Sequence, residues 1–194
     1  MKALDQDFWN DKYINNQTGW DLGQVSPPIK AYIDQLENKS TKILIPGAGN
    51  AYEADYLLKK GFKNITIIDI APRLLEKLKG KWKNNSSVQI LQSDFFNHKG
   101  KYDLIIEQTF FCAIDPSNRR NYVKKMNELL NQNGKLVGLL FDRYFEGGPP
   151  FGGSKDEYEK LFTERFELDE FETAQNSVEP RSGMELWINC RPRH

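Results

Sequence analysis

Lys42 to Asp69 reads KILIPGAGNAYEADYLLKKGFKNITIID: an apolar run, a glycine turn, a helix-length stretch, a second apolar run and an acid. Ile43-Leu44-Ile45 is too short and too β-branched to form a helix, and Pro46-Gly47-Ala48-Gly49-Asn50 continues it with residues that favour a tight turn. From Ala51 the apolar positions Tyr52, Ala54, Tyr56, Leu57 and Leu58 suit a helix with one face on a sheet, which basic Lys59-Lys60 and then Gly61 bring to a stop. Ile65 to Ile68 is a second strand. Strand, crossover helix and strand of this length make a right-handed βαβ unit, whose ligand crevice opens beyond the strands' carboxyl ends. Gly47, Gly49 and Asp69 are therefore expected to line that crevice.

Two glycines let backbone approach a ligand without a Cβ in the way, and Asp69, 20 positions past Gly49, is placed to accept hydrogen bonds from both hydroxyls of a ribose. The dinucleotide fingerprint would need a third glycine where Tyr52 stands, so a pyrophosphate on the helix start is disfavoured and a phosphate-free adenosine cofactor is favoured. A nicotinamide-dependent oxidoreductase and a non-catalytic nucleoside-binding module are the alternatives.

The whole chain sets bounds on this reading. At 194 residues, 39% hydrophobic and 12% aromatic, it suits one α/β domain with a sizeable core. Lys plus Arg and Asp plus Glu both number 27, which leaves no net charge to attract nucleic acid or an anionic membrane, and neither partner is expected. Cys112 and Cys190 match neither a disulfide framework nor a zinc pattern, and Cys112 reads as a small core residue. The start, Met1-Lys2-Ala3-Leu4-Asp5, lacks the apolar centre of a signal peptide, and no run is long enough to span a bilayer, so a reducing cytoplasm is expected. His98, in a polar turn, and His194, at the end, are the only histidines. Neither a histidine base nor a metal site is expected.

Residues 5 to 40 carry Phe8, Trp9, Tyr13, Trp20, Tyr32 and Ile33 ahead of the first strand, with a turn at Thr18-Gly19-Trp20-Asp21 and a helix from Pro27-Pro28 through Leu36. Either Trp9 and Trp20 cover the sheet edge, or they form a lid whose indole faces attract a cation; the lid is the preferred reading. A helix over Ala71 to Leu78 leads to a third strand, Val88 to Leu91, which ends in Ser93-Asp94-Phe95-Phe96. Asp94 is placed either to cap a turn or to accept a hydrogen bond from an adenine amino group, with Phe95 covering the base. Tyr102 to Glu107 is the fourth strand, and the loop after it faces the crevice. A helix from Arg119 to Leu130, stopped at Asn133-Gly134, precedes a fifth strand from Gly134 to Phe141. Glu146 to Gly153 is either a flexible rim or an ordinary turn. A helix near Lys155 to Phe162 and strands over Phe166 to Phe171 and Met184 to Cys190 complete the chain.

Taken together, Trp20-Asp21-Leu22-Gly23, Ile45-Pro46-Gly47-Ala48-Gly49, Asp94-Phe95-Phe96, Thr109-Phe110-Phe111-Cys112-Ala113-Ile114-Asp115-Pro116 and Gly147-Gly148-Pro149-Pro150-Phe151 resemble the thiopurine S-methyltransferase family, nearer its halide and thiol methyltransferase branch. The resemblance runs through most of the chain in order. It implies a Rossmann-like, seven-stranded, mostly parallel sheet with helices on both faces and an antiparallel last strand, in one domain made of a lid segment (1–40) and a core (41–194). It also implies S-adenosylmethionine as methyl donor, a small-molecule acceptor, no metal and a monomer. By position it assigns the cofactor to Trp9, Trp20, Gly47, Gly49, Asp69, Asp94, Phe95 and Glu107, and acceptor binding to Arg119. Phe141 to Glu146 reads FDRYFE, where the plant branch carries a proline- and histidine-containing stretch. Methyl transfer from a sulfonium needs alignment more than proton removal when the acceptor is a soft anion such as a thiolate, bisulfide, thiocyanate or halide.

Overall fold

The computed structural model describes residues 4–193. Residues 1–3 of the expected lid and His194 lie outside the described residues. The elements, in chain order, are α1 (Gln6–Ile14), α2 (Pro27–Asp34), β1 (Ile43–Pro46), α3 (Tyr52–Lys59), β2 (Ile65–Asp69), α4 (Pro72–Lys81), β3 (Val88–Gln92), β4 (Tyr102–Gln108), α5 (Arg119–Leu129), β5 (Leu130–Phe141), α6 (Lys155–Phe162), β6 (Phe166–Thr173) and β7 (Glu185–Pro192).

The strands form a seven-stranded sheet in the order β3-β2-β1-β4-β5-β7-β6, parallel except for β7, which runs antiparallel to both neighbours. All four residues of β1 are buried, as expected for a central strand covered on both faces. One face is closed by Ile29 and Ile33 of α2, Ala54 and Leu57 of α3, and Leu74 and Leu78 of α4. The other is closed by Tyr122, Val123 and Met126 of α5 and by Tyr158 and Phe162 of α6. Ile43 of β1 pairs with Ile65 of β2 on one side and Leu104 of β4 on the other. The strand order therefore reverses at β1, and a crevice opens there beyond the carboxyl ends.

Several boundaries differ from the sequence reading. α2 ends at Asp34 rather than Leu36. α5 ends at Leu129, because fully buried Leu130 already pairs with Tyr102. Asn133-Gly134 thus lies in a bulge of β5, between the Tyr102–Leu130 and Leu104–Lys135 pairs, and is not a helix stop. The last two strands run on to Thr173 and Pro192.

None of the residues of α1 is buried, so packing on its neighbours has to hold it in place. Asp5 caps its start by accepting from the Phe8 amide at 3.0 Å. Asn10 in turn accepts from the Arg73 amide at 2.8 Å, so that a lid side chain satisfies one of the free N–H groups at the start of α4. Among the described residues no helix is long and apolar enough to cross a membrane.

Candidate active site

A cavity of about 850 Å³ occupies the crevice, within the size range of small-molecule sites. At one end it is lined by Gly47, Asp69, Asp94 and Phe95 from the strand ends and by Trp9, Tyr13 and Trp20 from the amino-terminal segment. Gly47 has φ +55°, and a Cβ there would lie 2.2 Å from Cδ2 of Phe110. Its glycine is thus required by the ring of the loop after β4. Gly49, also left-handed at φ +52°, stands one step back from the wall: a Cβ would meet Trp20 Nε1 and the Tyr13 hydroxyl, both at 3.9 Å.

Asp69 accepts from the Ala71 amide at 2.9 Å. Part of its surface faces the cavity, but surrounding protein excludes bulk water and pushes its carboxyl up to about 6, against the opposing pull of the Ala71, Ile70 and Gly49 amides. It is therefore ionised at neutral pH. Asp94 caps the short turn Phe95–Asn97, its Oδ1 accepting from the Phe96 amide at 2.8 Å, and the residue also lines the cavity. Phe95 is 5% exposed and packs edge-on against Phe110 at 5.1 Å and Phe96 at 5.4 Å.

Trp9 and Trp20 meet edge to face at 5.7 Å, and Tyr13 meets Trp20 at 5.9 Å. The Trp20 turn is pinned from two sides. The Arg181 guanidinium donates to the Trp20 carbonyl at 2.7 Å. On the other side Asp21 accepts from the Asn50 side-chain amide and from the Tyr52 hydroxyl at 3.3 Å. Tyr52, standing where a dinucleotide site would have its third glycine, thus ties the amino-terminal segment to the first turn. Burial and the neighbouring Asp69 carboxylate push the Tyr13 hydroxyl well up, so it stays protonated.

Besides Gly49, two expected site residues do not line the cavity. Glu107 was assigned to the cofactor, but it is fully buried beneath the following loop. Its Oε1 accepts from the Phe110 and Phe111 amides at 2.6 and 3.0 Å, and its Oε2 accepts from the Tyr122 hydroxyl. Burial pushes its carboxyl up to about 7. Arg119 was assigned to the acceptor, but it turns away to bond Glu157 at 2.9 Å and the carbonyls of Phe151 and Gly152 at 3.1 and 2.9 Å, stacked between Phe111 and Tyr158. A carboxylate reachable by several amides and an arginine reachable by several carbonyls have both been taken up by loop architecture.

The cations that do line the far end of the cavity are Arg143 and Arg181, which the sequence reading missed. They stand with Phe141, Phe145, Pro149 and Met184, facing Phe110, Cys112 and Ile114. Arg181, 9% exposed, is paired with buried Glu185 at 3.2 Å. The backbone between the two ends is strained at Thr109, a non-glycine residue with φ +59°. The buried Cys112 thiol donates to the Thr109 carbonyl at 2.9 Å, and desolvation pushes its ionisation up. It is both core and cavity wall. His98 does not line the cavity and is bonded to the Tyr102 hydroxyl at 2.8 Å.

Residues 4–188 match the family model described as thiopurine S-methyltransferase. The chain belongs to the thiopurine S-methyltransferase family. As a member of it, the protein is an S-adenosylmethionine-dependent methyltransferase, and the family assignment does not support the nicotinamide or non-catalytic alternatives. The probable thiol methyltransferase 2 of Arabidopsis thaliana is 32% identical over 186 residues, which cover 91% of this chain and 81% of that one. Thiocyanate methyltransferase 1 of Brassica oleracea is 25% identical, over 95% and 84% of the two chains. A thiopurine S-methyltransferase of Vibrio parahaemolyticus is 27% identical, over 81% and 82%. Among solved structures, the 1,6-didemethyltoxoflavin-N1-methyltransferase of Burkholderia thailandensis, with S-adenosylhomocysteine bound, superimposes with a TM-score of 0.76 at 16% identity, covering 97% of this chain and 87% of that one. At that identity the likeness concerns the fold alone.

Proposed function

We propose that the enzyme methylates a small soft nucleophile, namely a thiol, bisulfide, thiocyanate, halide or thiopurine-like sulfur. The observation that carries this reading is the far wall of the cavity. Phe110, Ile114, Phe145, Pro149 and Met184 offer little to solvate a hard nucleophile, whereas the guanidinium of Arg143, which no carboxylate among the described residues pairs, favours an anion. The names of the relatives, thiol, thiocyanate and thiopurine methyltransferases, agree with it.

The near end has the chemistry that S-adenosylmethionine requires. An ionised carboxylate at the end of β2 can take ribose hydroxyls, and Asp94 retains Oδ2 for the adenine amino group after Oδ1 has capped its turn. Gly47 and Gly49 keep the first turn close, Phe95 flanks the base, and the indoles of Trp9 and Trp20 offer faces to a cation. When bound, the cofactor supplies a methyl group on a sulfonium, whose departure leaves a neutral thioether. The protein's part is to orient and to exclude water: residues 4–40 close over the core from residue 41 on, Glu107 fixes the loop from Thr109 to Ala113, and Arg119 fixes Phe151 and Gly152. No protein base is assigned, because an ionised thiol or a halide has no proton to lose. The two free cysteines accord with a reducing cytoplasm, and we take the working unit to be a monomer.

A methyl-transfer assay over thiols, bisulfide, thiocyanate, iodide, amines and alcohols tests the reading. Turnover is expected with the sulfur and halide acceptors. Methylation of amines or alcohols alone would overturn it.

A further inference from the structure

The two arginines at the far end differ in one respect. Arg181 is paired with Glu185 and spends a second nitrogen on the Trp20 carbonyl, so its charge is largely answered by the protein. Arg143 has no carboxylate within ion-pair distance among the described residues. It donates only to the Met184 sulfur, at 2.8 Å, and lies over the Phe145 ring at 4.8 Å. A guanidinium stacked in this way keeps its edge N–H groups for a planar anion. The acids lining the same cavity are committed elsewhere or lie at the other end: Asp115 accepts from the Ser117 amide and hydroxyl, Asp94 caps its turn, and Asp69 closes β2.

The position of Arg143 is also built with care. Its carbonyl accepts from the Gly153 amide at 2.9 Å, and the approach is so close that a Cβ on Gly152 would lie 1.7 Å from that oxygen. The preceding residue is held at both ends, since the Asp142 amide donates to the Met184 carbonyl at 2.9 Å and its Oδ1 accepts from the Lys155 amide at 2.8 Å. Along the wall, Arg181 lies over Phe141 at 5.2 Å and Phe141 meets Phe145 edge-on at 5.1 Å. The aromatic pair thus separates a neutralised cation from an unneutralised one.

We propose that Arg143 is a specificity-determining residue that selects acceptors carrying a carboxylate in addition to the reacting sulfur, a class best described as thiol acids. The proposal rests on the methyl-transfer reading above. A thiol acid would place its flat hydrocarbon against Phe141 and Phe145 and its carboxylate on the edge of Arg143, with the sulfur directed toward the cofactor end. A halide or thiocyanate would gain only the general positive potential. Arg143 touches the acceptor away from the reacting atoms, so its effect belongs in KM.

The test compares 4-mercaptobenzoate with 4-methylthiophenol, two aryl thiols of similar outline that differ in the carboxylate, on the wild-type enzyme and on Arg143→Met and Arg143→Lys. Wild type is expected to show the lower KM for 4-mercaptobenzoate. Arg143→Met should raise that KM about tenfold, the worth of a partly exposed charge-assisted hydrogen bond. It should move the KM for 4-methylthiophenol less than about twofold on the same basis and leave S-adenosylhomocysteine affinity unchanged. Arg143→Lys should recover part of the loss. Equal KM values in wild type, or equal shifts for both thiols in Arg143→Met, would overturn this inference while leaving the methyl-transfer reading intact. Failure of wild type to methylate either thiol would also overturn this inference, and the methyl-transfer reading would then stand or fall on the bisulfide, thiocyanate and iodide arms of the acceptor panel.

Discussion

The two ends of the cavity are built from different kinds of contact. At the cofactor end, Gly47, Asp69 and Asp94 each close a strand or open a turn, and their placement follows from the spacing of one βαβ unit and its neighbour. At the acceptor end, Phe110 follows β4, Arg143 and Pro149 share the loop between β5 and α6, and Arg181 lies between β6 and β7, so three loops tens of residues apart meet there. Their meeting depends on side chains that never touch the cavity: Glu107 under one loop and Arg119 behind another. The contrast teaches that an acid or an arginine beside a site is defined by what else can reach it. Asp69 is reached by backbone amides but keeps part of its surface on the cavity and stays available, whereas Glu107, reached by two amides and a tyrosine, is fully buried under its loop and is consumed.

Gly47→Ala breaks both halves at once and should have the largest effect. The added methyl group must displace the Phe110 ring, 2.2 Å away, and hold a left-handed backbone. Together these cost about 2 to 5 kcal/mol, so thermal stability, S-adenosylhomocysteine binding and thiol turnover should fall together. A variant with unchanged melting temperature and affinity would show that the halves do not meet at this contact.

Asp69→Ala should separate the halves. Loss of a charged acceptor for two ribose hydroxyls should weaken S-adenosylhomocysteine binding by roughly 1.5 to 3 kcal/mol by calorimetry, while the preference among acceptors stays the same. A changed acceptor preference would mean that the ends are not independent.

Arg119→Met tests whether that residue supports the loop behind the acceptor end or reaches the acceptor itself. Removing the buried guanidinium leaves the Phe151 and Gly152 carbonyls and Glu157 without their donor and should lower stability by about 1 to 3 kcal/mol, read as a lower denaturation midpoint. Turnover with charged and uncharged thiols should drop in parallel. A loss confined to anionic acceptors would return Arg119 to the pocket.

An effect read only against pH is expected at Glu107. Its folded-state value of about 7 lies above the ordinary 4.5, so between those pH values the folded protein holds a proton that the unfolded chain has released. Stability from this group is therefore lost as pH rises through that window and levels off above it. The difference in melting temperature between wild type and Glu107→Gln, which cancels the contributions of other groups, should change across pH 4.5 to 7 and be flat above. A constant difference would mean that Glu107 does not titrate in the folded state.

The order of strands and helices was legible because Ile43 to Ile45, Ile65 to Ile68 and Tyr102 to Glu107 are continuous apolar runs bounded by glycine, proline or charge. The β5 bulge was not, since Asn133-Gly134 has the same composition whether it stops a helix or widens a strand, and only the burial of Leu130 decides. Asp69 was legible from its distance to the glycine turn. Arg143 and Arg181 were not, because no local period links residues 20, 141, 143 and 181; Arg181 reaches Trp20 across 161 positions. The FDRYFE stretch around Arg143 was marked only as a departure from the plant branch.

The central claim is that this cavity aligns a soft anion and supplies no base. The most direct measurement is kcat/KM against pH from about 7.5 to 9.5 for an alkyl thiol and for iodide, a range centred on the thiol's own ionisation near 8.5 and above the value of about 6 for Asp69. The thiol rate is expected to climb with the thiolate fraction, to reach half its plateau near 8.5 and to level about a unit above that, beside an iodide rate that stays flat. An iodide rate that climbs with pH, or a thiol profile governed by a group of the protein, would contradict it.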